Sequence, residues 1–224
     1  MQKSMYSLIL SDAVVARIDQ MAYEKGMSRS QLIDQILAGE VGLHTPEQKV
    51  RLIIEQVADT IGRQSPLQVT VRSDMGGMQF ATYLRYKYNP GIRFQVEFQN
   101  RDGHMVGILK VFSRSTSEDL LMHLSRFFTI LTAIDKARFE EFHHMPVTIS
   151  VSSQSSNKFA RLLVTPQMSM ENADERIIAQ YLSHYVMMLD EALKVYFMNL
   201  GQSDVGARID EVYCRYMRDL SLNI

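Results

Sequence analysis

The stretch that most constrains this chain is MYSLILSDAVVARIDQMAYEKGMSRSQLIDQIL, Met5 to Leu37, because it sets one strand-length run before two short helical patterns. Met5 to Ser11 has the length of a strand, with apolar residues on both of the faces that period-two alternation separates. Val14, Val15, Ile18, Met21 and Ala22 then recur at helical spacing, opposite Asp12, Arg17, Asp19, Gln20 and Glu24. Ser11 is placed to cap this helix and Gly26 to end it. A second helix follows at once: Ser28 and Gln31 form a capping-box pair, Met27 and Leu32 a hydrophobic staple, and Leu32, Ile33, Ile36 and Leu37 a buried stripe. By about Gly39 the unit is complete with too few residues to enclose its own core, and its strand has no neighbour to pair with. It needs a partner.

The combination of that strand, Leu10-Ser11-Asp12, the Arg17-Ile18-Asp19 pattern and Gly26-Met27-Ser28-Arg29-Ser30 resembles the ribbon-helix-helix family of DNA-binding proteins (Arc/MetJ/CopG-like). The resemblance covers roughly Met5 to Leu37. It implies that the strand pairs antiparallel with the same strand of a second subunit, and that four helices from two chains share one core. Tyr6, Leu8 and Leu10 would face that core. Met5, Ser7 and Ile9 would form the outer face, which in the family enters the DNA major groove and contacts bases.

Here the chain departs from the family, whose members generally carry polar or basic side chains on that face. Ser7 alone offers a hydrogen bond, while Met5 and Ile9 could pack on thymine methyl groups or be covered by another protein surface. Phosphate contacts are expected from the N-terminus of the second helix, at Ser28, Arg29 and Ser30, with Lys3 and Lys25 adding charge. Up to Gly39 four bases, Lys3, Arg17, Lys25 and Arg29, face four acids, Asp12, Asp19, Glu24 and Asp34. The expected binding is therefore weak per dimer, with a shallow salt dependence.

From His44 onward HTPEQKVRLIIEQVADTIG reads as a helix with Thr45 as N-cap, Pro46 in its first position and Gln48 completing a capping box. LQVTVRS, MQFATYLRYKY, IRFQVEF and MVGILKVF read as an antiparallel meander, with turns at Gly76-Gly77, Asn89-Pro90-Gly91 and Asp102-Gly103. A helix from about Ser117 to Glu141 should cover one sheet face. VTISVSS and FARLLVT suggest a further hairpin around Gln154-Ser155-Ser156-Asn157, and two helices follow, about Glu171 to Leu200 and Asp204 to Leu220.

Charge and chemistry narrow the function. Twenty-four Lys and Arg against 25 Asp and Glu give no basic field of the kind that binds nucleic acid non-specifically. The single cysteine, Cys214, permits no intramolecular disulfide or multi-cysteine zinc site, and reads as a buried small hydrophobe in a reducing compartment. The chain shows neither a signal-peptide pattern nor an apolar run long enough to span a bilayer, so a cytoplasmic protein with no membrane partner is expected. His143-His144 beside Glu140-Glu141, with His123 and His184 remote in sequence, lack the two-histidine spacing of a metal site. No phosphate-binding glycine loop, nucleophile elbow or metalloprotease helix occurs, and SDMGGMQ lacks the strand-to-helix context of such a loop. Tyr83, Tyr86 and Tyr88 with Arg85 and Lys87 could stack on bases or a ligand, but two faces of one strand is the plainer reading. Fifteen methionines, including Met187-Met188 and the Met168/Met170 pair, read first as core filling and second as an adaptable binding surface.

The sequence thus predicts an α+β protein: a ribbon-helix-helix dimerisation module over 1–41, and over 42–224 a larger domain with an antiparallel sheet covered by long helices. The expected activity is sequence-specific binding of double-stranded DNA, as a transcriptional regulator or a partition protein, without catalysis, cofactor or metal. The expected assembly is a homodimer or higher homo-oligomer, with 42–224 providing oligomerisation or the surface for a protein partner or small-molecule effector. The alternative is a scaffold or antitoxin-like dimer that keeps the fold without strong DNA binding.

Overall fold

A computed structural model of the chain describes residues 7–41, 46–72, 77–101, 104–138, 141, 148–155, 158–164 and 174–222. It divides into two compact units, Met1–Thr45 and Pro46–Ile224.

The first unit holds α1 (Asp12–Glu24) and α2 (Arg29–Glu40). Gly26 ends α1 as its position suggests, at φ 64°. The Met27 amide donates to the Ala22 carbonyl at 3.0 Å and the Gly26 amide to that of Tyr23 at 3.1 Å, the paired bonds of a Schellman turn. Ser11 is the N-cap residue of α1, but its side chain makes no capping bond. At α2 the capping box is present in full: Ser28 Oγ accepts from the Gln31 amide and Gln31 Oε1 accepts from the Ser28 amide. The expected strand is not formed over Ser7–Ser11. A strand exists through its hydrogen-bonded neighbour, and the described residues of this unit supply none. Met5 and Tyr6 lie outside the described residues.

The second unit runs α3 (Pro46–Gln64), β1 (Gln68–Arg72), β2 (Gly77–Tyr83), β3 (Gly91–Arg101), β4 (His104–Ser113), α4 (Glu118–Arg138), β5 (Thr148–Ser155), β6 (Lys158–Val164), α5 (Glu175–Met198) and α6 (Val205–Leu222). Pro46 opens α3, where its missing amide costs nothing; the Thr45 cap expected before it lies outside the described residues. Meander and hairpin join in one antiparallel sheet ordered β1-β2-β3-β4-β6-β5. The hairpin enters reversed: α4 carries the chain past the place of β6 to the edge, and β6 returns to pair with β4.

Met78, Phe80, Phe94, Val96, Leu109 and Val111 alternate onto the buried face of this sheet. α4 lies on that face, where the Phe128 ring stacks on Phe159 with centroids 3.9 Å apart. α5 is apolar around most of its circumference and is correspondingly buried, packing against α3 and α6 and meeting α4 through Phe127 and Tyr196, 5.7 Å apart. Among the described residues no helix is long and apolar enough to cross a membrane.

The run MQFATYLRYKY is not one strand. β2 stops at Tyr83 and the chain turns through Leu84 to Pro90, with Tyr88 at φ 63° and Asn89 at φ 45°. Tyr83 ends β2 with its side chain exposed; beyond it Tyr86 packs edge-on against Phe197 and His123, and Tyr88 is exposed.

Candidate nucleic-acid interface

Among its described residues the first unit buries Ile18, Ala22 and Leu32, with Met21, Met27 and Ile33 packed around them. These residues lie toward the connecting turn. One helical turn farther out, the same stripes continue through Val14 on α1 and through Ile36 and Leu37 on α2, and all three are exposed. The stripe Leu32, Ile33, Ile36 and Leu37, expected to be buried, is thus covered within the chain only over its first half. Leu8 and Leu10, assigned by the resemblance to a shared core, are 58% and 39% exposed.

Of the residues expected to contact bases, Ser7 is exposed and Ile9 fully so, while Met5 lies outside the described residues. Lys3, among the expected phosphate contacts, also lies outside them. Lys25 occupies the C-cap of α1, while Ser28, Arg29 and Ser30 cluster at the start of α2, all exposed. Ser28 is committed as the N-cap, so its hydroxyl already satisfies the Gln31 amide. The Arg29 and Ser30 amides are the leading donors of the helix, whose positive end favours an anion.

The structure reveals a partner for Arg29 that local spacing does not. Its Nε and Nη2 donate to the two carboxylate oxygens of Asp19 on α1, at 2.5 Å each. This bidentate bond, and then the carboxylate charge, raise the Arg29 pKa above its ordinary value. It also compensates the guanidinium before any phosphate arrives. Arg17 is likewise engaged, donating to Gln20 Oε1, whose amide in turn donates to Glu24. Among the described residues of this unit Lys25 is the cation without such a contact.

In the second unit several titratable groups among the described residues form structural pairs. Arg138 joins α4 to α6 by donating twice to Asp210, once from Nε at 2.9 Å, and Cys214 lies buried beside that carboxylate. Among the described residues no three His, Cys, Asp or Glu side chains converge as metal ligands; His143 and His144 lie outside them. No protein-family model matches the chain, and no curated protein or solved structure does either.

Proposed function

We propose that the chain is a homodimeric DNA-binding regulator, in which residues 1–41 of two copies form an intersubunit ribbon and a shared four-helix core. The observation that carries this reading is the half-covered apolar stripe: Val14, Ile36 and Leu37 continue the stripes of Ile18 and Leu32 into solvent. A second copy offers the same stripe and supplies the strand that Ser7 to Ser11 lacks, so one symmetric contact satisfies both needs. Ser7 and Ile9 then face the major groove, and the Arg29 and Ser30 amides meet phosphate.

Few free cations contribute, so the logarithm of the affinity should fall gently with the logarithm of salt, by roughly 0.9 per phosphate neutralised. Adjacent dimers on repeated sites would offset weak single contacts. The test is a mobility-shift titration of the full chain against genomic fragments at low salt, alongside sedimentation. A dimer that retards DNA is the expected result, with Leu10→Asp dissolving the dimer and Ser7→Ala weakening only the complex. A folded dimer that retards no fragment removes the DNA reading, and a monomer removes the ribbon.

The Arg29–Asp19 pair favours a second reading, an antitoxin-like or scaffold dimer whose outer ribbon face is covered by another protein. Under that reading Ile9→Asp abolishes capture of the protein partner, and DNA retardation is absent in the parent chain.

A further inference from the structure

In the sheet-bearing unit a cavity of about 390 Å³ opens where β2 ends, β3 begins and the segment from β4 to α4 passes. Its volume suits a small molecule rather than a duplex. Arg93, on β3, is half-buried in its wall. The cross-strand neighbours of Arg93 are Ala81 and Phe112, neither charged. The acid farther along the same strand face, Glu97, is already engaged by Lys110 at 2.5 Å and by Gln95. Arg114 contributes a second guanidinium, and among the described residues neither arginine has an ion-pair partner. Guanidiniums that lack a counter-charge at one cavity wall are available to an anionic ligand.

Two further features converge on the same wall. The backbone that presents Arg114 is held by successive serine bonds: Ser113 Oγ donates to the Gly91 carbonyl, and the Ser115 and Ser117 amides donate to the hydroxyls of Ser113 and Ser115, each at 3.2 Å. In the turn before β3, Tyr88 and Asn89 sit side by side in the left-handed region, which Asn tolerates and a bulky Tyr adopts at a cost. The turn is closed by the Leu84 amide on the Pro90 carbonyl and the Asn89 amide on that of Tyr86. Tyr88 in this turn and Tyr83 at the end of β2 both line the cavity, and both are exposed. Lys87, in the same turn, is tied to Asp119 at 3.0 Å, which leaves the two arginines as the available charges.

We propose that this cavity binds a small organic anion, its phosphate or carboxylate held by Arg93 and Arg114 and its planar ring lying against the tyrosine rim. Two guanidiniums match the paired oxygens of either head group, and an aromatic face adds contact with a ring. Arg93 and Arg114 supply charge-assisted donors, and the serine bonds fix the backbone that carries Arg114. Nothing in this assignment depends on DNA binding by residues 1–41.

The test is isothermal titration of the full chain with AMP, salicylate, inorganic phosphate and adenosine. Saturable binding of AMP assigns a phosphate head group and of salicylate a carboxylate; either supports the site, with inorganic phosphate weaker than AMP and adenosine weakest. Arg93→Gln and Arg114→Gln should each weaken the binding by about tenfold or more, and Tyr88→Ala should weaken the ring-bearing probe while sparing inorganic phosphate. Arg93→Lys keeps the charge at the half-buried position and should retain part of the affinity, guarding against loss through misfolding. Arg218→Gln, remote from the cavity lining, should bind as the parent does. Absence of saturable binding by AMP, salicylate and phosphate overturns the proposal. So does binding that Arg114→Gln, a change at an exposed side chain, leaves unaltered.

Discussion

Leu32→Ala tests how the first unit holds together. Leu32 is 1% exposed, the most completely buried of the three side chains in this unit's core among the described residues. Removing a buried leucine side chain to Cβ costs its transfer free energy plus a cavity term, about 2 to 5 kcal/mol together. A unit of this size has on the order of 2 to 7 kcal/mol to lose, at roughly 0.05 to 0.15 kcal/mol per residue. The substitution should therefore unfold α1 and α2 in a large share of molecules. Hydrogen exchange read by mass spectrometry should show protection lost across Asp12–Glu24 and Arg29–Glu40 and kept across the sheet and α5. Any retarded DNA complex should vanish with it. Leu193→Ala is the control: it removes an equally buried leucine from the far larger core of the second unit, which should be weakened without unfolding. Parental protection of α1 and α2 in the Leu32→Ala protein would refute the reasoning, since the unit would then draw its stability from elsewhere.

Ser28→Ala removes the hydroxyl that accepts from the Gln31 amide and should destabilise the first unit by about 0.5 to 2 kcal/mol, measured by the same exchange experiment. Gly77→Ala would place a Cβ 2.8 Å from the Val96 carbonyl oxygen on the neighbouring strand; the shift this forces should cost about 1 to 3 kcal/mol in chemical denaturation of the second unit. Arg138 holds the Asp210 carboxyl below its ordinary pKa, first through the hydrogen bond between them, so the pair's contribution is complete above the unfolded carboxyl value of about 3.9 and is lost as pH falls through the lower folded value. Asp210→Asn should flatten that acid limb of the stability curve, and an unchanged limb would show that other carboxylates set it.

The local signals along the chain were legible because they rest on a few neighbouring residues. Gly26 ends α1, Ser28 and Gln31 cap α2, and Pro46 opens α3, each through backbone geometry that the residue type itself favours. The long helices were legible for a related reason, since α4 and α5 carry enough apolar positions to show their period or its absence. The turn at Leu84 to Pro90 was harder. Tyr86, Lys87 and Tyr88 keep the composition of a strand, yet β2 ends at Tyr83, Tyr88 and Asn89 take positive φ, and Tyr86 packs on Phe197 and His123.

The candidate sites divide in the same way. By itself the sequence determined that the first unit carries more apolar stripe than its own length can bury, because stripe and length are both counted along the chain. Only the tertiary structure decided which half of the stripe stays open, that Arg29 meets Asp19, that β6 slots between β4 and β5, and that Arg93 and Arg114 line one cavity. The last three are meetings of residues that lie on different elements. Their partners are selected by packing and by the cost of leaving charge or backbone unpaired, which periodicity along one segment does not record.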